Sequence, residues 1–113
     1  VYDSRVILEY LDLKAGGGRI IPREPGARIE VLTLQALADG IMDAALLQVY
    51  EGRWRAADRQ DAKWLEHQAG KVTRGLAVLE SAPPALPKDS SGLDVGHIAV
   101  ACALGYLDLR FAG

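Results

Sequence analysis

An acid and a serine, Asp3 and Ser4, stand side by side where a helical pattern begins. The first amides of a helix have no partner inside the helix, and with the helix dipole they attract a carboxylate. The serine hydroxyl adds one more hydrogen-bond donor. Aspartate and serine are also preferred helix caps. The pair is therefore a candidate either for binding a carboxylate-bearing ligand or for closing the start of the helix.

A second pair of acids, Asp39 and Asp43, is spaced four residues apart and so shares one face of a predicted helix. Paired carboxylates can indicate a hydrolase, but this spacing supplies no attacking group. The other interpretations are a solvated helix face or a buried acid that holds an arginine such as Arg5 or Arg74. We favour these structural interpretations, because two acids four residues apart are common on helices.

The residues that most often bind metals are few. The chain has one cysteine, Cys102, and two histidines, His67 and His97. A single cysteine excludes a disulfide within the chain, and the histidines lack a third ligand at metal spacing, so we expect no metal. Cys102 lies in an apolar segment without the electropositive surroundings that activate a thiol, so we expect it to pack in the core.

Composition and charge restrict the partners. The chain has 113 residues, with 13 lysines and arginines against 15 acids and a formal net charge of −2. Without a basic excess, we expect no nucleic-acid partner. The longest apolar run, residues 98–107, is too short to span a bilayer, so we expect no membrane association. The single cysteine makes the reducing cytoplasm the default compartment. Since no methionine begins it, we expect a piece of a longer protein, cut at both ends.

The elements that would position these side chains are four predicted helices and no strand. Apolar spacing predicts them at about residues 4–13, 25–51, 58–81 and 92–109. Three glycines and two prolines make residues 15–25 a linker, since glycine runs and proline interrupt helices. Gly52 is expected to end the second helix, and Glu24 before it is a poor cap by preference. The fourth segment is apolar on every side and would lie at the centre of an all-α bundle.

Asp94 is the expected cap of this fourth helix. Aspartate is a preferred N-cap, and Leu93 and Ile98 stand at the spacing of a hydrophobic staple. His97 occupies the position where a capping box would place an acid. Asp94 is therefore a structural candidate, and the reciprocal contact from His97 is left open.

Four segments, taken in chain order, resemble the cytosolic glutathione transferases (GSTs). Residues 3–11 (DSRVILEYL) resemble the end of the family's thioredoxin-like domain, and residues 21–25 (IPREP) resemble its interdomain linker. Residues 36–46 (ALADGIMDAAL) resemble helix four of the bacterial members, and residues 98–108 (IAVACALGYLD) resemble the central helix six. The ordered set carries the resemblance, which covers nearly the whole chain.

The resemblance implies an all-α helical bundle of the GST C-terminal domain type, with a short N-terminal helix left from a thioredoxin-like domain. Residues 1–13 would be that terminal helix, residues 14–25 the linker, and residues 26–113 a truncated helical domain. The family's catalytic tyrosine, serine or cysteine would precede Val1. No catalytic residue is therefore expected within this chain.

The resemblance also implies site roles in the intact protein. Asp3 and Ser4 would receive the γ-glutamyl end of glutathione, with the acid paired to the ligand's ammonium. Tyr106 would contribute to the substrate pocket, because the central helix faces the cleft in the family. Asp39 or Asp43 would lie near the dimer cleft and the glutathione site. Glutathione would be the co-substrate of a small hydrophobic electrophile in a detoxifying homodimer.

Two other functions remain open. The same helical domain occurs in non-catalytic assembly modules, where it serves protein association. An activating residue in the missing N-terminal stretch would favour the enzyme over the module. The chain could also be an unrelated helical bundle, in which case the linker and the acid–serine pair would match the family by coincidence.

Overall fold

The computed structural model describes residues 1–112. Over these residues the fold contains helices and no strand. The four α-helices are α1 (Ser4–Lys14), α2 (Pro25–Trp54), α3 (Ala62–Ser81) and α4 (Val95–Phe111). Short 3₁₀ helices at Ala57–Arg59 and Ser90–Gly92 precede α3 and α4. The expected all-α class is confirmed.

Helix α2 begins with a side-chain cap that the sequence did not suggest. The Glu24 carboxylate accepts hydrogen bonds from the backbone N–H groups of Gly26 and Ala27, at 2.9 and 2.6 Å. Pro25 then occupies the first turn, where its missing N–H costs nothing. The expectation that Glu24 caps poorly was wrong, because the longer side chain folds back onto the two amides.

The other end of α2 and the start of α3 also differ from expectation. Gly52 lies inside α2, which continues to Trp54 before Arg55 turns extended. Glycine lowers helix propensity but does not forbid a helical conformation. Helix α3 begins after Asp61, whose side chain accepts hydrogen bonds from the amides of Lys63 and Trp64.

The core lies between α2 and its two neighbours, because α2 packs against both α3 and α4. Ala38 and Ile41 of α2 contact a cluster that includes Leu79 of α3 and Val100 of α4. A β-carbon on Gly75 of α3 would stand 2.5 Å from Cγ1 of Ile41, so the glycine lets the two helices approach closely. Among residues 1–112, α2 is therefore the helix that packs against both of the other long helices, and α4 supplies Ala99, Val100 and Ala103 to the core between them.

Helix α4 buries one face and exposes the other. Val95 and Ala103 are completely buried against the bundle, whereas Leu104, about 100° around the helix from Ala103, is 43% exposed. Cys102 is also exposed, so the expected core packing of this cysteine was wrong. The apolar composition of α4 exceeds what its described neighbours cover.

Candidate functional site around the start of α1

Asp3 and Ser4 mark the start of α1, as the sequence predicted. Both side chains are exposed. Asp3 is the N-cap residue by position, but its side chain makes no capping hydrogen bond. Only its carbonyl takes part, by accepting a hydrogen bond from the Ile7 amide at 2.9 Å. The first-turn amides of α1 are thus not occupied by the Asp3 carboxylate, and a ligand carboxylate could approach them.

Arg5 connects this helix start to α2. Its Nε lies 3.5 Å from Oδ2 of Asp39, and the Arg5 side chain is 57% exposed against 22% for Asp39. The arginine partner suggested from the sequence is therefore present. The acid–serine pair of α1 consequently lies close to the acidic face of α2.

The electrostatic setting of Asp39 is unusual for a surface acid. Partial burial raises the pKa of its carboxyl group above the ordinary value of 3.8, and the Arg5 guanidinium opposes that shift. The negative charges of Asp43 and Asp3 raise the pKa of Asp39 further. Removing a carboxylate from water disfavours its charged form, and neighbouring carboxylates act in the same direction.

Asp12, near the other end of α1, is a functional candidate that the sequence reasoning missed. The residue is 6% exposed, and its carboxylate accepts three backbone hydrogen bonds from the linker. Oδ2 accepts from the amide of Gly18 at 2.9 Å, and Oδ1 accepts from the amides of Arg19 and Ile20 at 2.9 and 2.8 Å. The Ile20 hydrogen bond is the largest cause of the lowered pKa of Asp12, against the opposing effect of burial.

The same linker is hydrogen-bonded to the start of α4. The Ile20 carbonyl accepts from the amide of Val95 at 2.9 Å, and the Arg19 guanidinium donates to the carbonyl of Ser91 at 2.9 Å. An ion pair between Glu9 and Arg28 adds a direct connection from α1 to α2. Helix α1 is therefore held against the bundle by the linker at its C-terminal end and by the Glu9–Arg28 ion pair near its middle.

The family is identified by similarity to solved structures with the same fold. A glutathione transferase family member from Pseudomonas fluorescens Pf-5, solved with bound glutathione, is 51% identical, with a TM-score of 0.87 over 98% of this chain and 53% of its own. A glutathione S-transferase from Methylobacillus flagellatus KT, solved with glutathione bound, is 42% identical, with a TM-score of 0.88 over 98% of this chain and 55% of its own.

The chain belongs to the glutathione transferase family. An uncharacterized GST-like protein of Escherichia coli K12, YibF, is 38% identical over 109 residues, which are 96% of this chain and 54% of that protein. No protein-family model matches. The chain spans about half the length of these relatives, and it has the fold of the GST C-terminal helical domain.

Within this GST fold, Tyr106 lies in the C-terminal half of α4. The residue is half-buried on α4, and the Arg110 guanidinium lies 5.9 Å from the centre of its ring. A cleft of about 360 Å³ opens beside the last turns of α4 and is lined by Val72, Leu107 and Phe111 among others, but its lining does not include Tyr106. A pocket role for Tyr106 stays a prediction.

Asp94 lies at the N-cap of α4. Its carboxylate accepts a hydrogen bond from the His97 amide at 3.0 Å, and His97 Nδ1 accepts one from the Asp94 amide at 3.2 Å. The Nε2 atom of His97 lies 2.8 Å from the carbonyl of Ala85. The neutral imidazole with its proton on Nε2 satisfies both contacts, since it then donates to the carbonyl and accepts from the amide. The reciprocal contact that the sequence left open is formed.

Other possible sites are few in this GST half. Residues 1–112 contain no cluster of three or more histidine, cysteine, aspartate or glutamate side chains placed to hold a metal ion. In the same part of the chain, no helix combines the length and the apolar character needed to cross a membrane. The grouping of Asp3, Ser4, Arg5 and Asp39 is accordingly the candidate functional site.

Proposed function

We propose that this chain is the helical half of a cytoplasmic glutathione transferase that joins the glutathione thiolate to a small hydrophobic electrophile. The thiolate sulfur forms a bond to an electrophilic carbon, and in exchange that carbon either loses its bond to a leaving group, which departs with the electron pair, or has its π bond opened, with the electron pair then taking up a proton. The catalytic residue lies outside these 113 residues in this proposal. The helical half supplies the start of α1 to glutathione, part of the electrophile pocket and contacts of a homodimer.

The arrangement at the start of α1 carries the proposal. The exposed first turn offers backbone amides to the α-carboxylate of the γ-glutamyl end, because the Asp3 side chain does not cap them. The Ser4 hydroxyl adds a donor beside these amides, and the Asp3 carboxylate is available to the ligand's ammonium. Two relatives with this fold were solved with glutathione bound, which supports the same ligand here.

The domain organisation follows from the same proposal. Residues 1–13 would close a thioredoxin-like domain, residues 14–25 would join the domains, and residues 26–113 would belong to the helical domain. The helix bounds are compatible with this division, since α1 ends at Lys14 and α2 begins at Pro25.

Glutathione binding by the product of the complete gene tests the proposal. Ser4→Ala is expected to weaken binding about tenfold, because a hydrogen bond to a charged group contributes about 1.5 kcal/mol. The measurement is the dissociation constant for glutathione by titration calorimetry. Ser81→Ala is the matched control, since the Ser81 hydroxyl bonds only to the Val78 carbonyl within α3.

Two results would contradict the proposal. A folded wild-type protein that does not bind glutathione would favour the assembly-module function instead. Equal affinities of the Ser4→Ala and wild-type proteins would remove Ser4 from the glutathione site. An unchanged Ser81→Ala protein would show that the loss at Ser4 is not a general effect of removing a serine.

A further inference from the structure

The buried carboxylate of Asp12 is the strongest polar attachment between α1 and the rest of the molecule. Three backbone amides of the linker donate to it, and the residue is almost fully buried. Hydrogen bonds to an ionised group are about twice as strong as those between neutral groups. This cluster of Asp12, Gly18, Arg19 and Ile20 is called the linker latch below.

The other polar attachments of α1 are weaker. The arginines of the Arg5–Asp39 and Glu9–Arg28 ion pairs are 57% and 36% exposed. Ion pairs in contact with water contribute little to stability, since solvent screens them and ordering two side chains costs entropy. The linker latch is therefore the strongest polar restraint on the direction in which α1 leaves the bundle.

The latch also reaches the α4 side of the molecule. The Ile20 amide donates to Asp12, and the Ile20 carbonyl accepts from the amide of Val95, the first residue of α4. Asp12 is thus linked through one residue of the linker to the capped start of α4. A carboxylate that served only to end α1 would not need this connection to another helix.

A helix transmits this constraint to its other end. Asp12 is eight residues beyond Ser4, which corresponds to about 12 Å along an α-helix. A rotation of α1 by about 10° at the latch would therefore move Ser4 by about 2 Å. Binding groups have to be held within about 0.5 Å of their working positions. Small freedom at the linker would consequently misplace Ser4 relative to Asp39.

We infer that Asp12 is a positioning residue of the glutathione site, acting through the linker latch to hold Asp3 and Ser4 at the correct place beside α2. The inference rests on the proposed function, because it takes glutathione as the ligand of this site. Asp12 itself does not touch the ligand. Its contribution should appear in glutathione affinity beyond any change in the stability of the fold.

Two variants of Asp12 in the product of the complete gene test the inference. Asp12→Ala removes all three acceptors. Asp12→Asn keeps one oxygen for the amides of Arg19 and Ile20 but presents an NH₂ group to the Gly18 amide. We expect glutathione affinity to fall about tenfold in Asp12→Ala and less in Asp12→Asn, since misplacing a binding group by about 1 Å can cost up to a hundredfold. Calorimetry gives the affinity, and hydrogen exchange of the Gly18 to Ile20 amides reports whether the latch has opened.

Asp61→Ala is the matched control. The Asp61 carboxylate also accepts backbone hydrogen bonds, from Lys63 and Trp64, but it caps α3 away from the linker. Its loss should lower the urea midpoint while leaving glutathione affinity within about twofold of wild type, because it does not touch the latch. Binding is compared in buffer where all variants are folded by circular dichroism.

The outcomes separate the inference from the proposed function. Weaker binding in both Asp12 variants, in the stated order and with an unchanged Asp61→Ala protein, supports it. An Asp12→Ala protein with opened linker amides and wild-type affinity overturns it, and so does an equal loss in Asp61→Ala. A wild-type protein that does not bind glutathione overturns the proposed function, and the positioning role falls with it.

Discussion

Asp39 combines two opposing effects on a single carboxylate. Its ion pair with Arg5 favours the charged form, whereas partial burial and the nearby acids Asp43 and Asp3 disfavour it. Burial is the larger effect, so the pKa of Asp39 is raised. A carboxyl group with a raised pKa stabilises the fold fully below its unfolded pKa, and this contribution is lost as the pH rises through the folded pKa.

Replacing Asp39 with asparagine should therefore affect binding and stability differently. At neutral pH we expect the free energy of unfolding of Asp39→Asn to stay within about 1 kcal/mol of wild type, because the lost ion pair is half-exposed and the cost of burying a charge is removed. Just above pH 3.8 the wild-type protein should lose stability relative to the variant as the pH rises. Glutathione affinity of the complete protein should fall, since Arg5 loses its partner beside Ser4.

The measurements are urea unfolding between about pH 3 and pH 7 and calorimetric titration with glutathione. Asp43→Asn is the control, since it removes a neighbouring negative charge while keeping the Arg5–Asp39 pair. Parallel pH profiles for Asp39→Asn and wild type would refute the raised pKa. An unchanged glutathione affinity in Asp39→Asn would mean that the Arg5–Asp39 ion pair has only a structural role and does not support glutathione binding.

At the scale of elements, α4 depends on its first turn. Asp94 and His97 exchange hydrogen bonds across that turn, and His97 also contacts the proline-rich loop at Ala85. The histidine thus takes the place that an acid usually has in a capping box, and it does so with a ring nitrogen that accepts. The start of α4 is consequently tied both to its own backbone and to the preceding loop.

Removing this cap should destabilise the fold measurably. Asp94→Ala is expected to lower the free energy of unfolding by about 1 kcal/mol, because an amide of the first turn loses its acceptor. Asp108→Ala, in the same helix near its C-terminus, should be neutral or slightly stabilising, since a negative charge there opposes the helix dipole. Urea unfolding monitored by circular dichroism distinguishes the two variants. Equal losses in both would refute a specific capping role.

The sequence predicted the elements better than their ends and packing. Periodic apolar spacing located all four helices, and the residue type of Asp94 correctly predicted the N-cap of α4. The spacing could not reveal that Glu24 folds back onto two amides, nor that Gly52 stays helical. Gln68 reads as an ordinary polar position, yet it is completely buried. Such outcomes depend on neighbours that are distant in sequence.

The candidate site, too, could be predicted only in part from the sequence. Asp3 and Ser4 could be proposed from residue type and order alone, and an Arg5 partner for Asp39 or Asp43 was one of several possibilities. Asp12 could not be found in this way, because an acid in the last turn of a helix carries no signal of its own. The glycines that follow could have drawn attention to it, since unpaired amides in a tight turn need an acceptor nearby.

At the scale of the whole molecule, two apolar surfaces have no described cover. One is the exposed part of α4, which includes Leu104 and Leu109, and the other is the exposed part of α1, which includes Val6 and Leu11. Leu109 is 73% exposed and Leu11 is 54% exposed. Apolar patches of this kind are typical of surfaces that associate with other protein surfaces.

The 113-residue chain expressed alone should therefore self-associate at micromolar concentration. Leu109→Lys is expected to reduce association without lowering the urea midpoint, because the side chain is not buried in the fold. Leu86→Lys is the matched control, since Leu86 is 86% exposed but lies in the loop between α3 and α4 and belongs to neither helix. Sedimentation velocity measures the distribution of species. A monomeric wild-type chain would contradict the expectation.

The three consecutive glycines after α1 have a consequence for how the gene tolerates change. Gly16, Gly17 and Gly18 all have positive φ angles, of 106°, 73° and 78°, which residues with a side chain rarely adopt. A β-carbon on Gly18 would also stand 2.9 Å from the Arg23 side chain. In a saturation mutagenesis library, almost all substitutions at these three surface positions should be selected against, including alanine. An ordinary connecting loop would accept most substitutions.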